Sequence, residues 1–333
     1  MKFSLFSVSD YYPDVQTDTT RFLEEQVELI QLAENYDYYA YFNAEHHFHE
    51  YGLVPDPAVL FAAAAMKSSQ IKLGPAVSLL TFRNPLLAAE QWAMVDQLSH
   101  GRLILGVGSG YLMHEFEGFS LSPAEKRERF DETLEIMELA LKGERFSYAG
   151  QFFNYKNVRL NLTTYQSRQL ELAIAVLSEV ASYYIGKRGY QIMTIPYATV
   201  DKVDDLKPIY ANYRKGWKES GREGGGEILA AVHTHVGDQS WSEDAVGRKH
   251  LEKYVYSRLY ARHASYDECV QRGVAAMGNP DEVAKSLQRL IDTGVDHLMF
   301  IFNFGAMPIS EVEKTMKLMQ RDVLPRLKDA AVV

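Results

Sequence analysis

Residues 71–111 read "IKLGPAVSLLTFRNPLLAAEQWAMVDQLSHGRLILGVGSGY". The run 71–82 is apolar and strand-like, 85–99 has helical spacing, and 101–108 is strand-like again. Two strands joined by a helix of that length are not a hairpin: the connection is a crossover, and the strands lie parallel. Parallel strands need helices over them, so this stretch alone points to an α/β architecture.

The pattern continues in both directions. On the N-terminal side stand "KFSLFSV" (2–8), a helical segment at 19–36 with Phe22, Val27, Ile30 and Ala33 on one face, "YAYFN" (39–43), and the helix "PAVLFAAAAMKSS" (57–69) with Pro57 in its first turn. On the C-terminal side, 127–141 is helical, and "ELAIAVL" (171–177), "QIMTI" (191–195), "EILAAVHTHV" (227–236) and "HLMFIFN" (297–303) read as buried strands. Helices fit 179–188, 201–220, 242–262, 280–293 and 309–328. The count comes to about eight strands, the number that closes a barrel. The expectation is a (β/α)8 TIM barrel, one domain over residues 1–330 with insertions in its C-terminal half. The only flexible stretch, "SGREGGGE" (220–227), is a loop within that domain.

Composition narrows the partners. A formal charge of −9 without a basic run argues against nucleic acid and anionic membrane. No apolar run approaches the ~20 residues of a membrane span, and the N-terminus is too short and too polar after Val8 for a signal peptide. The single cysteine, Cys269, fits a reducing cytoplasm and reads as a small buried apolar residue.

A barrel of this kind places its chemistry at the C-terminal strand ends. Polar or glycine-rich segments follow four consecutive strands: "NAEHHFHEYG" (43–52), "TFRN" (81–84), "GSGY" (108–111) and "SEVAS" (178–182). Gly106, Gly108 and Gly110 resemble half of a dinucleotide fingerprint, but Tyr111 and Met113 stand where its third glycine would fall, so they read as a strand exit over which a cofactor can lie. Ser178 suits a helix N-cap, and its hydroxyl and the free amides of that turn could bind a phosphate. The cluster Glu45–Glu50 admits three readings: a metal site, a solvated polar loop, or a base beside a cofactor. Adjacent His46 and His47 diverge on extended backbone, and His233 and His235 are the best distant candidates for further ligands.

Four segments, "EHHFHEYGLVPDP", "DQLSHGRLILGVGSGY", "GNPDEVAKSL" and "MKLMQRDVLPRL", together resemble the bacterial luciferase-like flavin monooxygenase family, from Met1 to about Lys328. The resemblance implies a flavin at the barrel rim, reduced FMN supplied by a separate NAD(P)H:flavin reductase, and one oxygen atom of O2 inserted into a small carbonyl substrate such as an aldehyde by way of a flavin peroxide. It implies His46 as the catalytic histidine; Glu45 or Glu50, its neighbours in the cluster, are the carboxylates that could orient it. It places a non-proline cis peptide at Ala76–Val77 under the flavin ring, with Gly108, Ser109 and Tyr111 beside it. Where luciferase has a reactive Cys followed by a phosphate-binding Arg, this chain has Gly108 and Ser109, so the phosphate falls to Ser178 and to Arg129 or Arg127. Deazaflavin-dependent oxidoreductases of the same fold, a non-catalytic flavin-binding subunit and a metal-dependent barrel hydrolase are the competing readings. The family also implies a homodimer through the second and third barrel helices, whose alanines (62–65, Ala88, Ala89, Ala93) would form smooth outer faces.

Overall fold

The computed structural model describes residues 1–165, 170–258 and 263–327. In its first half β1 (Lys2–Ser7), β2 (Ala40–Asn43), β3 (Lys72–Pro75), β4 (Ser78–Leu79) and β5 (Ile104–Gly108) alternate with α1 (Thr19–Asn35), α2 (Pro57–Ala65) and α3 (Pro85–Leu98). Then come α4 (Met113–Gly118), α5 (Lys126–Leu141), a hairpin of β6 (Phe146–Ala149) and β7 (Asn154–Val158), β8 (Glu171–Ala175), α6 (Glu179–Lys187), β9 (Gln191–Thr194), α7 (Pro196–Thr199) and α8 (Leu206–Glu219). The chain continues through β10 (Ile228–Val236), α9 (Ala245–Tyr256), α10 (Tyr266–Gln271), β11 (Ala275–Gly278), α11 (Pro280–Ile291), β12 (His297–Ile301) and α12 (Ile309–Leu318).

All pairings in the main sheet are parallel, in the order β3-β2-β1-β12-β10-β9-β8-β5-β4. A parallel bridge between Leu73 and Leu103 brings β3 back to the β5 segment, so the path is a nearly closed barrel, the TIM-barrel fold. Nine strands lie on that path because the third, continuous in the sequence reading at 71–82, is broken in two at the cis peptide Ala76–Val77. Beyond the break β3 stops and β4 pairs with β5 alone.

Glycine permits the closure. A Cβ on Gly74 would collide with the Ile104 carbonyl oxygen, and one on Gly106 with that of Pro75. The glycines of "LGPAVS" and "LGVG" thus serve strand-to-strand approach. The helices start by a repeated local rule: Asp56, Asn84 and Asn279 cap α2, α3 and α11, each followed by proline at the first helical position. The core is continuous from β1 to β12, and all nine residues of β10 are buried.

Three strands, β6, β7 and β11, escaped the sequence reading, as did the short helices α4, α7 and α10. The β6–β7 hairpin is half exposed, and its inward face is only four residues, Phe146, Tyr148, Tyr155 and Val158, too short a pattern to stand out. Strand β11, "AAMG", is short and lacks β-branched residues; it pairs with the upper half of β10, between His233 and Val236. Several helices are shorter than expected: α8 begins after a 3-10 turn at Val203–Asp205, and α9 ends at Tyr256. No helix among the described residues is long and apolar enough to cross a membrane.

The "SHGR" turn before β5 has a mechanical role. His100 and Gly101 both adopt positive φ, which turns the chain back. The Arg102 guanidinium then donates to the carbonyls of Ala65, Ser68, Ile71 and Ser99, tying the end of α2 and the end of α3 to the strand starts. Loss of several charge-assisted bonds to half-buried carbonyls should cost about 2–4 kcal/mol. Arg102→Ala is expected to lower the unfolding free energy measured by urea denaturation by that amount, and an unchanged unfolding curve would show the tie to be idle.

Candidate active site

A cavity of about 340 Å³ opens at the C-terminal ends of the strands, within the range of small-molecule sites. Its floor is apolar: Ala76, Val77, Gly108, Met193, Ala231 and Met299. Gly108 is required there, because the Val77 side chain occupies the place its Cβ would take. Ser109, Tyr111 and Ser178 also line it, as do Phe6, Lys126, Arg127 and Arg258.

His46 lies on the cavity wall, 8% exposed. Its Nδ1 is 3.1 Å from Glu115 Oε1, which also accepts the backbone N–H of His47 at 3.1 Å. A carboxylate that accepts at this position fixes the proton on Nδ1 and leaves the Nε2 lone pair for whatever occupies the cavity. Burial pulls the imidazole pKa below its ordinary 6.5, and Glu115 opposes that shift. From behind, the ring is held by Gly52, where a Cβ would lie 2.9 Å from His46 Cβ, and Tyr51 stacks beside it with ring centres 4.4 Å apart.

The remaining members of the cluster are engaged elsewhere, although Glu45 also borders the cavity. Buried Glu45 binds Arg83 at 2.8 Å and His47 Nε2 at 3.1 Å, so it anchors the loop and does not touch His46. Glu50 is exposed. His49 Nδ1 accepts the backbone N–H of Tyr51. His235 pairs with Asp244 at 2.8 Å, and His233 packs on Tyr254 and Phe304, its pKa pushed down to about 3 by burial. Among the described residues no group of three or more His, Cys, Asp or Glu is placed to hold a metal ion.

Of the expected cofactor residues, Ala76, Val77, Gly108, Ser109, Tyr111 and Ser178 all line the one cavity with His46. Arg129 does not. It pairs with Glu125 at 2.7 Å and stacks on Phe152, one turn further along α5 than the cavity edge; Lys126 and Arg127, at the start of that helix, line the cavity instead. Ser178 caps α6 by accepting the Ala181 N–H at 3.3 Å. Glu115 and Arg258 were not legible: each comes from an element far along the chain, and only closure of the barrel brings it to the rim.

Residues 1–297 match the luciferase-like monooxygenase family. The chain belongs to that family. Monooxygenase RslO1 of Streptomyces bottropensis is 26% identical, with a TM-score of 0.91 over 98% of this chain and 99% of that one. The oxygenase component of the flavin-dependent trigonelline monooxygenase of Acinetobacter baylyi is 21% identical over 100% of this chain and 97% of its own length. The F420-dependent glucose-6-phosphate dehydrogenase of Nocardia farcinica is 26% identical over 85% and 87%. The family therefore spans flavin-dependent monooxygenases and F420-dependent oxidoreductases, and this member is a luciferase-like oxidoreductase.

The folded protein binds a proton at His46 less readily than the unfolded chain, so His46 contributes a stability loss that grows as pH falls below 6.5. By NMR the His46 ring should titrate with a midpoint below 6.5. Glu115→Gln removes the opposing charge and should move that midpoint further down; an upward move would contradict the assigned contact.

Proposed function

We propose that this chain is the oxygenase of a two-component system. It would take reduced FMN as a co-substrate from a separate NAD(P)H:flavin reductase and, with O2, insert one oxygen atom into a small carbonyl compound such as an aldehyde. The observation that carries the reading is a single cavity holding His46 with Nε2 free, an apolar floor at Ala76–Val77 and Gly108, and hydroxyl and cationic groups at its exposed edge. These residues fit FMN. Gly108 lets the Val77 side chain settle against β5, so the floor offers a ring only small apolar groups and backbone. At the edge, Ser178, the open amides of the first turn of α6, Lys126 and Arg127 suit a phosphate.

When bound, reduced FMN supplies the electrons that activate O2 and so makes an oxygen atom available for transfer. The protein's part is positional. Ala76, Val77, Met193 and Met299 exclude water from the reacting face, where stray protons would divert the reaction. Tyr111 closes one side. His46 Nε2 holds the proton that passes between substrate and water, and Glu115 keeps its ring and tautomer in place. In sum, aldehyde, O2 and reduced FMN give acid, oxidised FMN and water. The free, buried Cys269 suits a reducing compartment, and we place the enzyme in the cytoplasm. We treat residues 1–330 as one domain.

The decisive experiment is a binding and turnover pair. FMN should bind more tightly than riboflavin, and Ser178→Ala should narrow that gap by about tenfold, as expected for one charge-assisted hydrogen bond. His46→Ala should leave FMN binding within a few-fold and cut aldehyde oxidation, assayed with chemically reduced FMN, by ~10²–10⁴. A deazaflavin coenzyme binding in place of FMN, or turnover unchanged in His46→Ala, would overturn the reading.

We also propose a homodimer through α2 and α3. The alanines expected outside are mostly inside: Ala64 and Ala89 are fully buried against the barrel. The outer surface is more apolar than expected, with Val59 and Met66 on α2 and Leu87 and Met94 on α3 each more than half exposed. A two-fold contact would bury the same four side chains on each copy. The pair Leu87→Glu and Met94→Glu should convert a sedimenting dimer to monomer; a monomeric wild type at micromolar concentration would end the idea.

A further inference from the structure

Arg258 is 5% exposed, the only arginine in the buried class among the described residues. It follows the end of α9 and lines the cavity. Its guanidinium donates to the hydroxyls of Tyr254 and Tyr111, and lies 4.2 Å from the Tyr51 ring centre, 4.9 Å from that of Tyr254 and 5.4 Å from that of Tyr197. No carboxylate among the described residues lies within ion-pair distance of it. Other partly buried arginines are neutralised or tied down: Arg83 by Glu45 and Asp56, Arg102 by four carbonyls. Burial keeps the surrounding tyrosines neutral, Tyr197 pushed up to about 12 and Tyr254 higher, so no phenolate balances the charge. Asp10, on which the guanidinium acts from a distance, accepts the Gly305 N–H at 2.7 Å, and burial pushes its carboxyl up to about 6.

A buried guanidinium without a counter-ion is costly, and stacking on phenol rings returns only part of that cost. It sits on a cavity with donors to spare: a guanidinium has five N–H groups, and two hydroxyls accept from this one. Tyr51 links it to the proposed reaction centre, touching Arg258 on one side and His46 on the other. Lys126, Arg127 and Ser178 are not among its hydrogen-bond or ring partners.

We propose that Arg258 is the anchor for a monoanionic acid group, in the simplest case a carboxylate, on the organic substrate. One cation suits a single negative charge, and its fork matches a carboxylate bidentately. The tyrosine walls enclose the carbon skeleton next to the acid, and the reacting carbonyl falls toward His46. The substrate class becomes an oxo acid. This rests on the oxygenase reading above, yet its first test needs no flavin.

In flavin-free protein, calorimetry should show hexanoate and phenylacetate binding at least about tenfold more tightly than hexanamide and phenylacetamide. Arg258→Met should abolish the preference and Arg258→Lys should retain part of it. With reduced FMN, 6-oxohexanoate should have a KM about tenfold or more below that of hexanal, and Arg258→Met should remove the difference. Equal binding of acids and amides by the wild type overturns the proposal, even if the variants fail to fold. So does an acid preference that survives Arg258→Met. A loss of FMN affinity beyond that of riboflavin in Arg258→Met would assign the guanidinium to the cofactor phosphate and also overturn it. Failure of FMN to bind at all, with the acid preference intact, would instead sink the oxygenase reading and leave the acid site standing.

Discussion

The close approach of β3 to the backbone of β5 is the constraint on which the site depends. Gly74 and Gly106 give up their side chains so that the two strands can meet. Above that seam the third strand breaks, β4 resumes alongside β5, and the short interval between them, Ala76 and Val77, becomes the cavity floor. Val77 then fills the space over Gly108. A methyl group at any of these glycines would push apart the strand ends that carry Leu79, Ser109 and Tyr111. The rim is therefore a consequence of backbone packing before it is a matter of side-chain chemistry.

The acid and base groups show a division of labour set by burial. Glu45 and Glu115, both nearly inaccessible, each collect two or more donors, but different ones. Glu45 takes Arg83, His47 and the Leu79 N–H, tying the loop after β2 to the start of β4. Glu115 takes His46 and the His47 backbone. Since successive residues of an extended segment point to opposite sides, Glu45 and His47 can serve structure on one side and His46 chemistry on the other. The two carboxylates thus leave a single imidazole nitrogen without an internal partner at the cavity wall.

Much of this was legible from the order of apolar runs. Alternation of strand and helix gave the barrel, and the polar strand exits together with the resemblance to the luciferase-like family pointed to seven cofactor residues, six of which share a common wall. What failed shares one physical cause. Arg129 and Arg127 differ by two positions on a helix, about 200° around its axis, and sequence gives no reference for that angle until Phe152 and Glu125 are in place. Glu115 meets His46 across 69 positions, and Arg258 meets Tyr51 from a helix near the other end of the chain. Ala64 and Ala89 illustrate the same limit, since helical periodicity marks a stripe but alanine fits either side of it. Partners fixed by tertiary closure are not encoded locally.

The loop that carries His46 is sewn to the exit of β1. Leu53 donates to the Ser9 carbonyl, Tyr11 donates to that of Glu50, and Gly52 presses against both His46 and Val8. The two segments behave as one rigid piece, with no slack for the imidazole to drift. Of the tyrosines around Arg258, Tyr51 belongs to that piece, whereas Tyr111, Tyr197 and Tyr254 come from the exit of β5, from α7 and from α9. Changes among those three can reshape what the cavity admits while Tyr51 stays against the base. Such a layout lets a lineage shift its diet while keeping its reaction: selectivity and chemistry sit on separately mutable parts of the barrel.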